Sequence, residues 1–244
     1  MTDPWYVTAF RSDYREVYPH RDVASARKEV AWILDQGLQG PVLDLCCGFG
    51  RHSVAIAQAG LEVVGLDLSA DLLRQLPDLE GGPQLAGRRV RADARRLPFA
   101  ANSFGGLVNL FSSFGYFGDP GDSEVLAGIA RVLTPGGLAV LDLMNPPRIR
   151  DGLVPVSRTE RDGLVIDEER ALLDGGRRVT KRVHITFPDG RRESWHEDVR
   201  MYDPDELHPM LRAHGLEPLS VVGSFAGAQF DAAAERQLVV ARRV

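Results

Sequence analysis

Along residues 42–145, short apolar runs of strand length alternate with longer segments whose apolar positions recur at helical spacing. Val42, Leu43 and Leu45 form the first run, and Val54, Ile56 and Ala57 mark the helix after it. Upstream, residues 21–36 put Val23, Val30, Ile33 and Leu34 on one helix face. Further strands are read at residues 62–66, at 107–110 and in the L-A-V-L-D-L that follows Gly137. Such alternation predicts a parallel sheet with helices on both faces and right-handed crossovers.

The pattern changes over residues 147–202. Three turn signals appear, Asp162-Gly163, Asp174-Gly175-Gly176 and Pro188-Asp189-Gly190. Between them Val179, Val183, Ile185 and Phe187 share one parity, as do Trp195, Val199 and Met201, which predicts an inserted antiparallel sheet. Asp203-Pro204-Asp205-Glu206 then opens a helix, with a cap, a proline at the first position and an acid at the third. Strands near 217–222 and 237–242 would close the main sheet as a hairpin. Residues 1–20 carry Trp5, Tyr6, Phe10, Tyr14 and Tyr18. The expected organisation is an aromatic arm or lid at 1–20, an α/β domain from 21–146 and 203–244, and an inserted β subdomain at 147–202.

The chemistry concentrates where strands end, which is where open α/β sheets bind ligands. In P-V-L-D-L-C-C-G-F-G-R-H-S, a strand enters a turn with Gly48 and Gly50, and Asp44 stands four residues before the first glycine. Such a loop lets a cofactor approach the backbone. A pyrophosphate would want no carboxylate there, whereas a cofactor bearing an ammonium and a sulfonium would want one; S-adenosylmethionine (SAM) has both cations. The second strand ends at Asp67, about 20 residues past the glycine turn, where an acid usually holds a ribose diol. Arg91-Ala92-Asp93-Ala94 suits an adenine edge. The strand through Asn109 and Leu110 runs into an aromatic loop, F-S-S-F-G-Y-F.

In this order and spacing these pieces resemble the class I SAM-dependent methyltransferases, most strongly over residues 24–145. D-L-C-C-G-F-G-R-H-S and N-L-F-S-S-F-G-Y-F are similar to bacterial small-molecule members with a β-sheet inserted after strand five. The resemblance implies a seven-stranded, mostly parallel Rossmann-like sheet and a methyl transfer from SAM to an N or O atom of a small acceptor. It implies that Asp44, Cys46, Gly48 and Gly50 surround the methionine part, and that Asp67 takes the ribose hydroxyls with Leu68 against the adenine. It further implies Asp93 and Ala94 at the adenine edge, and Asn109 and Leu110 beneath the sulfonium. Phe114, Tyr116 and Phe117 would face the acceptor, together with Tyr14 and Tyr18 from an arm that closes over the site. Arg51 replaces the usual third glycine of the loop, which weakens a dinucleotide-binding reading.

Composition narrows the alternatives. The chain has 244 residues, net charge -5 and pI about 5.7, which argues against a broad nucleic-acid surface. No apolar run approaches a membrane span, and the first residues lack a secretory pattern, so a cytoplasmic protein is expected. Adjacent Cys46 and Cys47 are the only cysteines, so neither a disulfide framework nor a zinc site is expected. Asn145-Pro146-Pro147 mimics an amide-methyltransferase signature but follows strand five and lacks the fourth-position aromatic, so it reads as strand termination. His20, His184 and His196 stand as candidates to face the substrate, and no catalytic base is assigned. Two alternatives stay open: a methyltransferase acting on RNA or protein, and a non-catalytic SAM-binding protein.

Overall fold

The computed structural model describes residues 4–11, 14–18 and 22–244. Its larger sheet has seven strands: β1 (Val42–Leu45), β2 (Val63–Asp67), β3 (Arg89–Arg91), β4 (Phe104–Asn109), β5 (Leu133–Leu143), β10 (Leu216–Val222) and β11 (Gln237–Arg243). They lie in the order β10-β11-β5-β4-β1-β2-β3. Strands β1 to β5 pair in parallel, while β11 runs antiparallel between β5 and β10. The expected hairpin at the end of the sheet is therefore present, with its second strand wedged inward. This is the doubly wound, mostly parallel sheet expected of the class I methyltransferase fold.

Strand side chains alternate between two cores, as a sheet covered on both faces requires. Val42, Val108 and Val140 pack with Val30 and Ile33 of the helix α3 (Val23–Asp35) and with Val54 and Ile56 of α4 (Arg51–Gln58). Leu43, Leu107 and Leu141 pack on the other side. There they meet Leu126 and Ile129 of α6 (Gly118–Val132), and Leu207 and Leu211 of α8 (Pro204–Ala213). Capping fixes where several helices begin. Asp22 accepts from the Ser25 N–H at 2.8 Å, Ser69 accepts from Leu72 at the start of α5 (Ala70–Gln75), and Asp203 with Glu206 makes the capping box foreseen for α8.

The second sheet is antiparallel, β6 (Val156–Arg161), β7 (Leu164–Leu173), β8 (Arg178–Thr186) and β9 (Arg192–Arg200), in sequence order. The three predicted turn signals sit between these strands. In sequence the sheet lies between β5 and α8, after the short helix α7 (Pro146–Gly152) that Asn145-Pro146-Pro147 opens. Val179 and Val199 on its inner face, with Met201 just past β9, pack with Trp5 and Ala9 of the N-terminal arm and with Tyr116. The arm contributes α1 (Trp5–Thr8) and α2 (Tyr14–Val17); Val17 packs on Val183 and Ile185. Among the described residues no helix is long and apolar enough to cross a membrane.

Candidate active site

One cleft opens above the carboxyl ends of β1, β2 and β4. Its floor is the turn after β1. Cys46 (φ 61) and Gly48 (φ 58) are both left-handed, so the chain doubles back beneath the ligand space. A Cβ on Gly48 would meet no protein atom nearer than Leu72 Cδ1 at 3.8 Å. The two glycines divide the work. Gly50 (φ 85) caps α4, and a Cβ there would fall 2.4 Å from Leu76 Cδ1, so it serves packing and does not line the cleft. Gly65 of β2 matters in the same way, since a Cβ would approach Cys47 Sγ to 2.9 Å; sequence reading passed over it.

Asp67 stands on one wall of the cleft. Its Oδ2 accepts the Gly48 N–H at 2.7 Å and its Oδ1 the Ser69 N–H at 2.8 Å. Burial pushes its carboxyl up, against those donors. A carboxylate offers about four lone-pair sites, so capacity remains for a vicinal diol. Leu68, Leu72, Ala92 and Ala94 give the same wall an apolar surface for a flat ring. Asp93 is on the wall too, but Arg95 grips its carboxylate at 2.6 Å and holds it below its usual range. That arginine also lies 4.6 Å from the Phe117 ring centre, so it links the two walls.

Asp44, Gly50 and Asn109 are not on the cleft wall. The Asp44 side chain points beneath the turn, where it accepts from Ser53 Oγ at 2.6 Å, and burial raises its carboxyl. Asn109 donates to the Leu45 carbonyl at 3.0 Å and stitches β4 to β1. Cys46 and Leu110 do line the cleft. Arg51, in place of a third glycine, has an explanation as the first residue of α4. It reaches Glu29 of α3 at 3.0 Å, and His52 bonds the same carboxylate.

The opposite wall is aromatic. Tyr6, Phe10, Tyr116 and Phe117 line it, with Phe111 and Ser113 beside them. Trp5 braces Tyr116 from behind at 4.7 Å, Phe10 stacks on Tyr116 at 6.0 Å, and Tyr6 meets Phe117 edge-on at 4.9 Å. The arm is pinned by a hydrogen bond from Ser69 Oγ, next to the cofactor strand, to the Phe10 carbonyl at 2.7 Å. Burial pushes the Tyr116 hydroxyl well up, so it stays a neutral phenol.

The remaining sequence candidates fall elsewhere. Phe114 turns into the core against Tyr202, because Gly115 next to it is locked to β9 by the Arg200 N–H. Tyr18 meets Lys181 on the inserted sheet, off the cleft wall. The side chain of Tyr14, and His20, lie outside the described residues. His184 and His196 are exposed, at the parity opposite to the buried Val183, Ile185 and Val199. Among the described residues no group of three or more His, Cys, Asp or Glu could hold a metal. The wall residues that sequence reading missed as site residues are Tyr6, Phe10, Cys47, Phe49, Arg51, His52, Leu72, Ala92, Phe111 and Ser113. The aromatic density of the arm and the first phenylalanine of F-S-S-F-G-Y-F were the available signals.

This donor set fits SAM: a diol acceptor at Asp67, an apolar slot for adenine, and a glycine floor where a side chain would intrude. Residues 42–137 match the family model described as a methyltransferase domain. The chain is 31% identical to the cypemycin N-terminal methyltransferase of a Streptomyces species over 225 residues, 88% of each protein. It is 29% identical to a dTDP-3-amino-3,4,6-trideoxy-alpha-D-glucopyranose N,N-dimethyltransferase of Streptomyces venezuelae, over 76% of this chain and 79% of the relative. In structure it superposes over the whole of both chains on the CcbJ methyltransferase of Streptomyces caelestis, with a TM-score of 0.83 at 21% identity. Glycine floor, the acid that ends β2, sheet order and relatives over most of the chain agree: the chain belongs to the class I SAM-dependent methyltransferases.

Proposed function

We propose that this methyltransferase methylates an amine nitrogen on a small molecule. The carrying observation is that the Asp67 wall and the aromatic wall of Tyr6, Phe10, Tyr116 and Phe117 enclose one cleft. Bound SAM supplies an electrophilic methyl on a sulfonium. Asp67, Gly48, Leu68 and Ala94 hold the cofactor, and the aromatic wall holds the acceptor. Ring faces pack against the acceptor's apolar surface and exclude water from the line of attack. Tyr116 is a neutral phenol, so the wall supplies positioning rather than a strong base, and the amine must arrive unprotonated. Two relatives named for N-methylation support nitrogen over oxygen.

The test is a panel offered with SAM: nucleotide-linked amino sugars, peptides with a free N-terminal amine, catechols and a structured RNA. Release of S-adenosylhomocysteine (SAH) and product mass are read together. Methylation of one amine class and of neither catechol nor RNA is the expected result. Turnover on catechols or RNA alone would overturn the assignment.

A further inference from the structure

The loop that carries the aromatic wall begins in an unfavourable conformation. Phe111 (φ 63) and Ser112 (φ 57) are consecutive residues in the left-handed region, and neither is glycine. Such positions persist only where the surroundings enforce them. Enforcement comes from Asp142 of β5. Its Oδ2 accepts the Phe111 N–H at 2.8 Å, and its backbone carbonyl accepts the Ser112 N–H at 2.8 Å. Arg236, immediately before β11, closes the clamp. It donates to Asp142 Oδ1 at 2.6 Å and to Ser112 Oγ at 3.2 Å, and its guanidinium stands 5.1 Å from the Phe111 ring centre. Arg236 is itself fixed by its N–H to the Gly223 carbonyl. Asp142 is 2% exposed. A buried ion pair is weak evidence for stability, and its best-attested use is to select one arrangement over others.

We propose that Asp142 and Arg236 are a positioning pair that fixes the acceptor wall: they hold Phe111 and Ser112 left-handed, and so aim Ser113, Tyr116 and Phe117 at the cleft. The far end of the loop is tied independently, by the Arg200 N–H to the Gly115 carbonyl and the Phe117 N–H to Asp122. Releasing the clamp therefore frees one end of the wall without dissolving it. Neither residue lines the cleft, so the pair acts through the loop.

The test is amide hydrogen exchange with saturating SAH on the wild type, Arg236→Lys, Arg236→Met, and Arg236→Met combined with Ser112→Gly; calorimetry gives the SAH affinity of each. Arg236→Met should speed exchange over residues 111–117 by about tenfold or more, with α3 and α8 unchanged and SAH affinity retained. Arg236→Lys, which keeps the charge, should fall between. Adding Ser112→Gly should restore protection, because glycine enters the left-handed region without strain. A merely structural role would not produce that rescue. Wild-type exchange of the loop in Arg236→Met, uniform acceleration of the whole protein, or no effect of Ser112→Gly would each overturn the proposal. It rests on the cleft reading, and the two fail separately: wild type that does not bind SAH breaks that reading, whereas bound SAH with an unmoved loop breaks this one.

Discussion

The two walls of the cleft are made in opposite ways. The cofactor wall is local and largely backbone: a turn of five residues after β1, and an acid at the end of β2 whose oxygens accept N–H groups from neighbouring turns. The acceptor wall is assembled from distant segments, with Tyr6 and Phe10 from the arm, Tyr116 and Phe117 from the loop after β4, and, behind them, Val199 of the inserted sheet and Met201 just past it. The second is built from side-chain packing, which can change ring by ring. On the proposed function, hydrogen-bond geometry would hold the cofactor and shape would select the acceptor.

The strongest way to break that contrast is Asp67→Ala. A hydroxyl bonded to a charged acceptor is worth about 1.5–3 kcal/mol, so losing two should weaken SAH binding by about 100-fold or more in calorimetry. Asp93→Ala should cost far less affinity, since Arg95 already occupies that carboxylate. Equal losses would mean that Asp67 has no special place in the cofactor wall.

The next largest effect separates the two glycines of one motif. Gly50→Ala should destabilise the protein by about 2–4 kcal/mol in urea unfolding, from left-handed strain and the clash with Leu76. SAH affinity of the folded protein should barely move. Gly48→Ala should do the reverse, costing about 1 kcal/mol of stability while its methyl enters the cleft and lowers affinity. Were both to act on stability alone, the floor would not be a ligand surface.

The smallest effect concerns the junction behind the acceptor wall. Asp122 accepts from the Phe117 N–H at 3.2 Å and from Tyr202 Oη at 2.9 Å, and burial pushes its carboxyl up to about 6. Since the folded state favours the protonated form, its stabilising contribution is complete below about 3.8 and is lost as pH rises through about 6. Asp122→Asn should flatten the pH dependence of unfolding between those values by on the order of 1–2 kcal/mol. An unchanged pH profile would remove Asp122 from the account.

The same contrast explains what the amino-acid sequence revealed. The parallel sheet with its closing hairpin, the glycine turn after β1 and all three turns of the inserted sheet were readable, because each leaves a pattern in neighbouring positions. Gly50 was read with Gly48 onto the cleft, but its place is set by Leu76, which packs against it from 26 residues later. Asp44 and Asn109 were read onto the cleft because they stand at strand ends; their direction depends on Ser53 and Leu45, across the turn and the sheet. Phe114 was read with Tyr116 and Phe117, but Arg200, more than 80 residues later, fixes which ring of F-S-S-F-G-Y-F faces inward. Tyr6 and Phe10 became wall residues only through contacts with Tyr116, Phe117 and Ser69. Asp142, the acid within the L-A-V-L-D-L strand, gains its role only from Arg236, 94 residues later.

The inward position of β11 has a consequence for biosynthesis. Residues Leu138 to Leu143 of β5 find their second partner only in Arg242 to Gln237. At about 5–20 residues per second, a ribosome takes roughly 5–20 s to travel from Leu143 to Gln237. Throughout that interval β5 is an apolar, unpaired edge of the kind that recruits other chains. The nascent protein thus passes through an obligatory window of vulnerability in which the parallel half can already form. Holding that edge soluble until the closing strand arrives is a task for chaperones or for the speed of translation itself.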